Sequence, residues 1–228
     1  YVIEVNPRAS RTVPFASKAT GVPLAKYAAR CMAGESLESL GFTREPRIPF
    51  TAFKEAVFQF SKFPGVDVTL SPEMKSTGEV MGIDMDAASA YLKSQDAAGN
   101  RLPRTGGVFI SIRDTDKQHA LPWLKVLAAQ EFTFYATPGT GRLLYENGIP
   151  CHAVFKLSEG RPNLRDLVLE RKIQWIVNIP DVNDDGAKMR SYAIQFGLPI
   201  TTTTAALQMA AEGLASSSID AGRVDICS

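Results

Sequence analysis

Ala136-Thr137-Pro138-Gly139-Thr140-Gly141-Arg142 follows the alternating run Phe132-Thr133-Phe134-Tyr135 and precedes Leu143-Leu144. Alternation, then a Gly-rich turn bearing hydroxyls, then a leucine pair reads as a strand, a tight turn and a helix. The first backbone N–H groups of a helix have no intrahelical partner, and the helix dipole favours negative charge there. Two glycines let a ligand approach the backbone closely, and Thr137 and Thr140 add hydroxyl donors. The turn is therefore a candidate phosphate cradle. The same residues also suit an ordinary strand-to-helix turn with Thr as its cap.

On either side of this turn the pattern is regular. Strands are expected at residues 108–112, 132–135, 153–155, 175–179 and 199–201. Helices are expected at 118–130, after the Thr137 turn, and at 164–170, 187–196 and 205–214, the last capped by Thr204. Leu121, Leu124 and Ala128 should face inward, and Pro122 should fall in a first turn or kink its helix. Strands alternating with helices predict an α/β fold with a five-stranded parallel sheet flanked by helices on both faces. In such sheets ligands bind outside the carboxyl ends of the strands. Lys117 follows one strand, Lys156 another, and Asn178 ends a third, so these residues should gather near the Thr137 turn.

The rest of the chain is less regular. Residues 1–5 alternate like a strand, with Tyr1 already inside it, which suggests a piece of a longer protein. A helix is expected at 22–32, with Pro23 in its first turn and Gly34 as its stop. Residues 35–75 are turn-rich, with short extended pieces such as Ala56-Val57-Phe58. Residues 86–98 read as a helix with Ala87, Ala90, Tyr91 and Ser94 along one side. Residues 98–107, polar and rich in Gly and Pro, are the clearest linker. Residues from 216 onward look like a loose tail.

Composition narrows the function. A net charge of +1, with 45% hydrophobic and 21% charged residues, suits a globular chain with a real core and gives no general pull toward nucleic acid or anionic membrane. Cys31, Cys151 and Cys227 lack paired spacing, which favours a reducing, cytoplasmic setting over a disulfide framework. His119 and His152 have no companion ligands and make no zinc site. No apolar run reaches the length of a transmembrane helix.

Glu4-Val5-Asn6-Pro7-Arg8 carries a second signal. Glu4 and Asn6, two apart on an extended segment, project from one face. A carboxylate and an amide oxygen form a hard-ligand pair suited to Mg²⁺ on nucleotide phosphates. Arg8 and Arg11 could grip phosphate or carboxylate oxygens. An exposed edge with ordinary surface charges fits the same spacing.

Here the sequence resembles a known family. Residues 4–15 (Glu4-Val5-Asn6-Pro7-Arg8-Ala9-Ser10-Arg11-Thr12-Val13-Pro14-Phe15), with Ser17-Lys18-Ala19-Thr20-Gly21-Val22-Pro23-Leu24-Ala25, look like the end of the second ATP-grasp unit in the large subunit of carbamoyl phosphate synthetases. Lys62-Phe63-Pro64-Gly65-Val66-Asp67 and the stretch Pro72-Glu73-Met74-Lys75-Ser76-Thr77-Gly78-Glu79-Val80-Met81-Gly82 resemble the next segment of those subunits. Residues 107–214 are similar to the family's C-terminal regulatory domain, which shares a fold with methylglyoxal synthase. The resemblance implies five parts: an incomplete ATP-grasp end (1–34), a connecting region (35–98), a linker (99–106), a methylglyoxal synthase-like allosteric domain (107–214) and a tail (215–228).

The resemblance also implies roles. Glu4 and Asn6 match metal ligands, and Arg8 and Arg11 match phosphate-side arginines, in an ATP site whose other parts lie upstream. Mg²⁺ or Mn²⁺ and ATP belong to the intact ligase, which makes carbamoyl phosphate from bicarbonate, glutamine-derived ammonia and ATP for pyrimidine and arginine biosynthesis. None should be held tightly by these residues alone, and the fragment should be inactive. Ser111, Lys117, Thr137, Thr140, Lys156 and Asn178 match positions that hold a nucleotide monophosphate effector such as UMP or IMP, with Asn178 toward the ribose. Glu55 and Thr202 match remnants of an ornithine site. The implied partners are the remainder of the large subunit, a glutaminase small subunit and the effector.

Two departures bear on the effector. The bacterial pattern continues after Asn178 with two threonines, whereas Ile179-Pro180 stand here. An Asn-apolar-Pro sequence occurs in relatives activated by N-acetylglutamate, although those carry Trp at the position of Lys156. A lyase of the methylglyoxal synthase type is a further alternative. That enzyme needs a carboxylate base in a Gly-Gly-Asp segment. Here Glu159-Gly160-Arg161-Pro162 puts Arg161 at the base's position, with Asp166 falling in the next helix and capping it or pairing on its surface. A structural domain without a ligand is the third reading.

Overall fold

The computed structural model describes residues 5, 7–58, 76–180 and 186–216. In chain order the elements are α1 (Thr12–Thr20), α2 (Leu24–Met32), β1 (Thr51–Val57), β2 (Gly78–Asp84), α3 (Ala87–Ala97), β3 (Gly106–Ile112), α4 (Lys117–Ala128) and β4 (Phe132–Ala136). They continue as α5 (Pro138–Glu146), β5 (Cys151–Ala153), α6 (Leu164–Leu169), β6 (Trp175–Ile179), α7 (Gly186–Gln195), β7 (Ile200–Thr201) and α8 (Thr204–Ala215). A 3₁₀ turn, Asp114–Asp116, leads into α4.

The five strands β3–β7 form one sheet in the order β5-β4-β3-β6-β7, and every pairing in it is parallel. The central strands are apolar apart from Ser111 and Asn178 near their carboxyl ends, because both faces are covered. Val108, Ile110 and Ile112 of β3 turn to one face, against Ala120, Leu124 and Leu127 of α4 and Leu207, Ala210 and Ala211 of α8. Phe109 and Ile176 turn to the other, against Leu164, Leu167 and Val168 of α6 and Met189 and Ala193 of α7. Trp175 is fully buried and donates its indole N–H to Thr201 Oγ1 at 3.0 Å, satisfying the one polar atom that its burial strands.

Upstream, β1 and β2 pair antiparallel and carry α3 against them. Gly82 makes that approach possible: a Cβ there would lie 2.1 Å from the Ala90 carbonyl oxygen and 2.4 Å from the Ser94 nitrogen. Tyr91 and Leu92 of α3 in turn pack on the core shared with α4 and α8. Residue packing therefore runs from the β1–β2 pair through α3 into the parallel sheet.

Several expectations are corrected. The α1 helix was not foreseen; Pro14 falls in its first turn, where the missing N–H costs nothing. β2 was missed because Gly78 and Gly82 interrupt its alternation, although Gly82 serves the approach of α3. The helix expected from residue 22 begins at Leu24, with Pro23 outside it as N-cap. Ala87 is exposed and Ala88, Ser89, Ala90 and Ser94 are buried, since α3 is covered by both β2 and α8. In α4 the fully buried positions are Ala120, Leu124 and Leu127, while Leu121 and Ala128 are only half-buried. Pro122 lies beyond the first turn, on the exposed side. Thr203, not Thr204, caps α8, accepting from Ala206 N at 3.1 Å. The strand expected over residues 1–5 and the tail beyond residue 216 lie outside the described residues.

Candidate functional site

The strand order places a topological switch at β3: the chain runs outward through β4 and β5, then returns to the other side for β6 and β7. The crevice outside the carboxyl ends of the strands at such a point is where open α/β sheets bind ligands. Ser111 on β3 and Asn178 on β6 are direct Cα partners at that end. Thr137 follows Ala136, the last residue of β4, and its N–H donates to Ile110 O at 3.3 Å. The fold thus brings Ser111, Thr137, Thr140 and Asn178 to one edge, all of them buried.

The Gly-rich stretch differs from the expected turn in one respect. Gly139, Thr140 and Gly141 belong to the first turn of α5 itself, with Thr137 as N-cap and Pro138 at the first helical position. The Thr137 side chain makes no cap hydrogen bond. It turns instead toward Ser111 Oγ at 3.4 Å and Thr140 Oγ1 at 3.5 Å. Thr140 Oγ1 accepts from Ile112 N at 3.0 Å, pinning α5 to the end of β3. A helix start whose cap residue looks away from it leaves first-turn N–H groups open to an external acceptor.

Lys117 stands at this opening, and Lys156 lies in the loop between β5 and α6. Lys117 begins α4, and its ammonium lies 3.0 Å from the point a Cβ on Gly139 would occupy. It donates to Asp114 Oδ1 at 2.6 Å, and its side chain is only 15% exposed. The Lys117 hydrogen bond and charge hold the Asp114 carboxyl below its ordinary value, and the charge of Lys156 adds to this. Lys156 also faces Glu159, at 3.8 Å. Two ammoniums, two hydroxyls and an uncapped helix start form a donor set for a dianionic oxyanion.

Asn178 is fully buried, and neither Oδ1 nor Nδ2 has a hydrogen-bond partner among the described residues. Burying an amide without partners is costly, so such a group calls for an explanation, and a ligand is one. A Cβ on Gly186 would come within 3.2 Å of its Oδ1.

The neighbouring helix start is closed. Asn163 caps α6, accepting from Arg165 N at 3.0 Å, and Asp166 Oδ2 accepts from Asn163 N at 3.0 Å, completing a capping box. Asp166 also pairs with Arg161 at 2.8 Å. The aspartate nearest the position where a lyase would keep its base is thus spent on helix capping and an ion pair, as its placement in the sequence suggested.

The other expected site residues sit apart from this cluster or outside the described residues. Glu4 and Asn6 are in the second group. Arg8 is exposed, and Arg11 reaches Ser76 Oγ at 3.4 Å beside a cleft of about 440 Å³ that Lys18, Lys54 and Glu79 also line. Glu55 on β1 accepts from Gln95 Nε2 at 2.8 Å and faces Tyr91, whose hydroxyl is pushed up to about 12 by burial, with the Glu55 charge adding to it. Thr202 follows β7, half-buried. Among the described residues no three His, Cys, Asp or Glu side chains are arranged to hold a metal, and no helix is long and apolar enough to cross a membrane. The reading of the sequence missed Asp114 and Gly186. Asp114, three before Lys117 and so on its helical side, could have been found from that spacing; Gly186 carries no local signal.

The MGS-like domain model matches residues 119–202, from within α4 to just past β7, and the model of the carbamoyl-phosphate synthase L chain ATP binding domain matches residues 1–40. Among curated relatives, the carbamoyl phosphate synthase large chain of a Nostoc species is 50% identical over 208 residues, covering 90% of this chain and 19% of the relative. That of Mesorhizobium japonicum is 47% identical over 234 residues, covering 99% of this chain and 20% of the relative. The chain spans about a fifth of the length of the curated relatives it matches.

Proposed function

We propose that the chain, which is 50% identical over 90% of its length to a carbamoyl phosphate synthase large chain and matches the MGS-like domain model, is the C-terminal regulatory part of that ATP-dependent ligase and that its parallel-sheet domain binds an allosteric effector, a nucleotide monophosphate such as UMP or IMP. The observation that carries this reading is the helix start of α5, uncapped by Thr137 and flanked by Lys117. The effector's phosphate sits over Gly139 and Thr140, within reach of the Lys117 and Lys156 ammoniums and the Ser111, Thr137 and Thr140 hydroxyls. Its ribose meets Asn178. The domain works as a binding module: Arg161 stands where the lyase base would be, and Asp166 is engaged elsewhere.

The remainder of the reading concerns the intact protein. Residues 1–34 are the end of an ATP-grasp domain, in which Glu4 and Asn6 would hold Mg²⁺ or Mn²⁺ and Arg8 and Arg11 would face the ATP phosphates. Residues 35–98 connect that domain through the linker at 99–106 to the allosteric domain at 107–214. Glu55 and Thr202 are remnants of an ornithine site. The remainder of the large subunit and a glutaminase small subunit are the partners, in the cytoplasm. Effector binding then shifts the affinity of the distant ATP site by a coupling of about 1–3 kcal/mol. The packing of α3 against both β2 and α8 joins the connecting region to the allosteric domain.

Ile179-Pro180 favours a second reading in which N-acetylglutamate is the effector. Thermal denaturation of the chain with UMP, IMP, N-acetylglutamate and ornithine separates the two. A ligand at 100 times its dissociation constant stabilises by about 2.7 kcal/mol. A shift with UMP or IMP that disappears in Lys117→Ala is the expected result; a shift with N-acetylglutamate alone moves the assignment to the second reading.

A further inference from the structure

Gly186 opens α7, and Arg190 follows it by four residues, so the two lie on one face of the helix. Long side chains on a helix lean back toward its N-terminus, which brings the Arg190 guanidinium over Gly186. The point a Cβ on Gly186 would occupy is 3.3 Å from Arg190 Nη1 and 3.2 Å from Asn178 Oδ1. The Arg190 guanidinium and the Asn178 amide, whose two polar atoms are unpartnered among the described residues, therefore both lie close to the Gly186 backbone. Arg190 is half-buried and makes no ion pair among the described residues. A side chain at position 186 has no room, since its Cβ would press to 2.7 Å on Pro180 Cβ, so Gly186 is what lets these groups approach.

We propose that Arg190 is a specificity-determining residue of the effector site, forming with Asn178 a second recognition point for the end of the ligand away from its anionic head. The inference rests on the effector reading above and extends it. Asn178 offers one acceptor and one donor pair, so its ligand must return a donor and an acceptor together. Arg190 offers only donors and needs a further acceptor oxygen beside them. The ligand class is therefore bipartite. An anion meets Lys117, Thr137 and Thr140, while a hydroxyl or amide with an adjoining carbonyl or carboxylate oxygen meets Asn178 and Arg190. A nucleoside monophosphate and an acylated acidic amino acid both carry this chemistry. Inorganic phosphate carries only the first half.

The test is titration calorimetry of the full chain, as wild type, Arg190→Gln, Arg190→Lys and Lys117→Ala, with UMP, N-acetylglutamate and inorganic phosphate as probes. Hydrogen bonds to charged groups predict that Arg190→Gln weakens binding of the whole effector about 10-fold or more. Phosphate binding should stay within about twofold, and Arg190→Lys, which keeps the charge without the fork, should fall between. Equal weakening of phosphate and effector by Arg190→Gln would overturn the proposal, as would no weakening of either. So would a wild type that binds none of the three probes. If Lys117→Ala changes nothing while Arg190→Gln still discriminates, the phosphate cradle fails and the second recognition point stands. Arg190-dependent binding of N-acetylglutamate without UMP keeps the proposal and replaces the nucleotide.

Discussion

Two helices, α5 and α6, begin near the same edge of the parallel sheet and finish their first turns in opposite ways. At α6 the Asn163 side chain and the Asp166 carboxylate close a capping box, and Arg161 neutralises the carboxylate. At α5 the cap residue Thr137 gives its hydroxyl to Ser111 and Thr140, and Pro138 and Gly139 leave the backbone accessible. A helix start that satisfies itself contributes stability; one that does not is a standing request for an anion. On the proposed reading, the difference puts effector binding at α5 and leaves the α6 aspartate engaged in capping and an ion pair.

The largest effect that would break this contrast is at Lys117. Lys117→Ala should abolish the thermal stabilisation by UMP at concentrations where the wild type gains about 2.7 kcal/mol, with the melting temperature of the free protein little changed. A smaller effect sharpens it. Asn163→Ala should destabilise the free protein by about 1 kcal/mol, the usual loss for an N-cap, without altering ligand binding. Thr137→Ala should do the reverse, costing less than a normal cap because no cap bond is lost, while weakening the phosphate probe. Denaturant titrations of the two variants, side by side, measure this inversion.

The smallest effect concerns Asp114. Its carboxyl is held low by Lys117, so its contribution to stability is present above its ordinary value of 3.8 and fades as the pH falls through its lower folded value. Asp114→Asn should therefore track the wild type in strong acid and separate from it slightly near neutrality. Because Asp114 is the ion-pair partner of Lys117, the same variant should bind phosphate more tightly at low salt. Looser binding would contradict that role.

Much of this was legible in the sequence. The strands at residues 108–112 and 175–179 were legible from their apolar residues, interrupted only by Ser111 and Asn178, and the residues near their ends fall at one edge by topology. Local patterning could not reveal β2, whose Gly82 exists for the approach of α3, nor the cap of α8, where four consecutive threonines (Thr201 to Thr204) offer the same chemistry at neighbouring positions. Thr137 carried the right residue type for a cap, and only the positions of Ser111 and Thr140, far away in sequence or a turn ahead, decide that it does not act as one. Arg190 and Asn178 meet over Gly186, a juxtaposition that depends on the packing of α7 against β6.

The most direct measurement is a backbone amide NMR titration of the chain with UMP, comparing Gly139 and Thr140 in α5 with Leu164 and Arg165 in α6. The account predicts saturable shifts at Gly139 and Thr140, lost in Lys117→Ala, with the α6 amides unmoved. Saturable shifts at Leu164 and Arg165, with Gly139 and Thr140 silent, would contradict it.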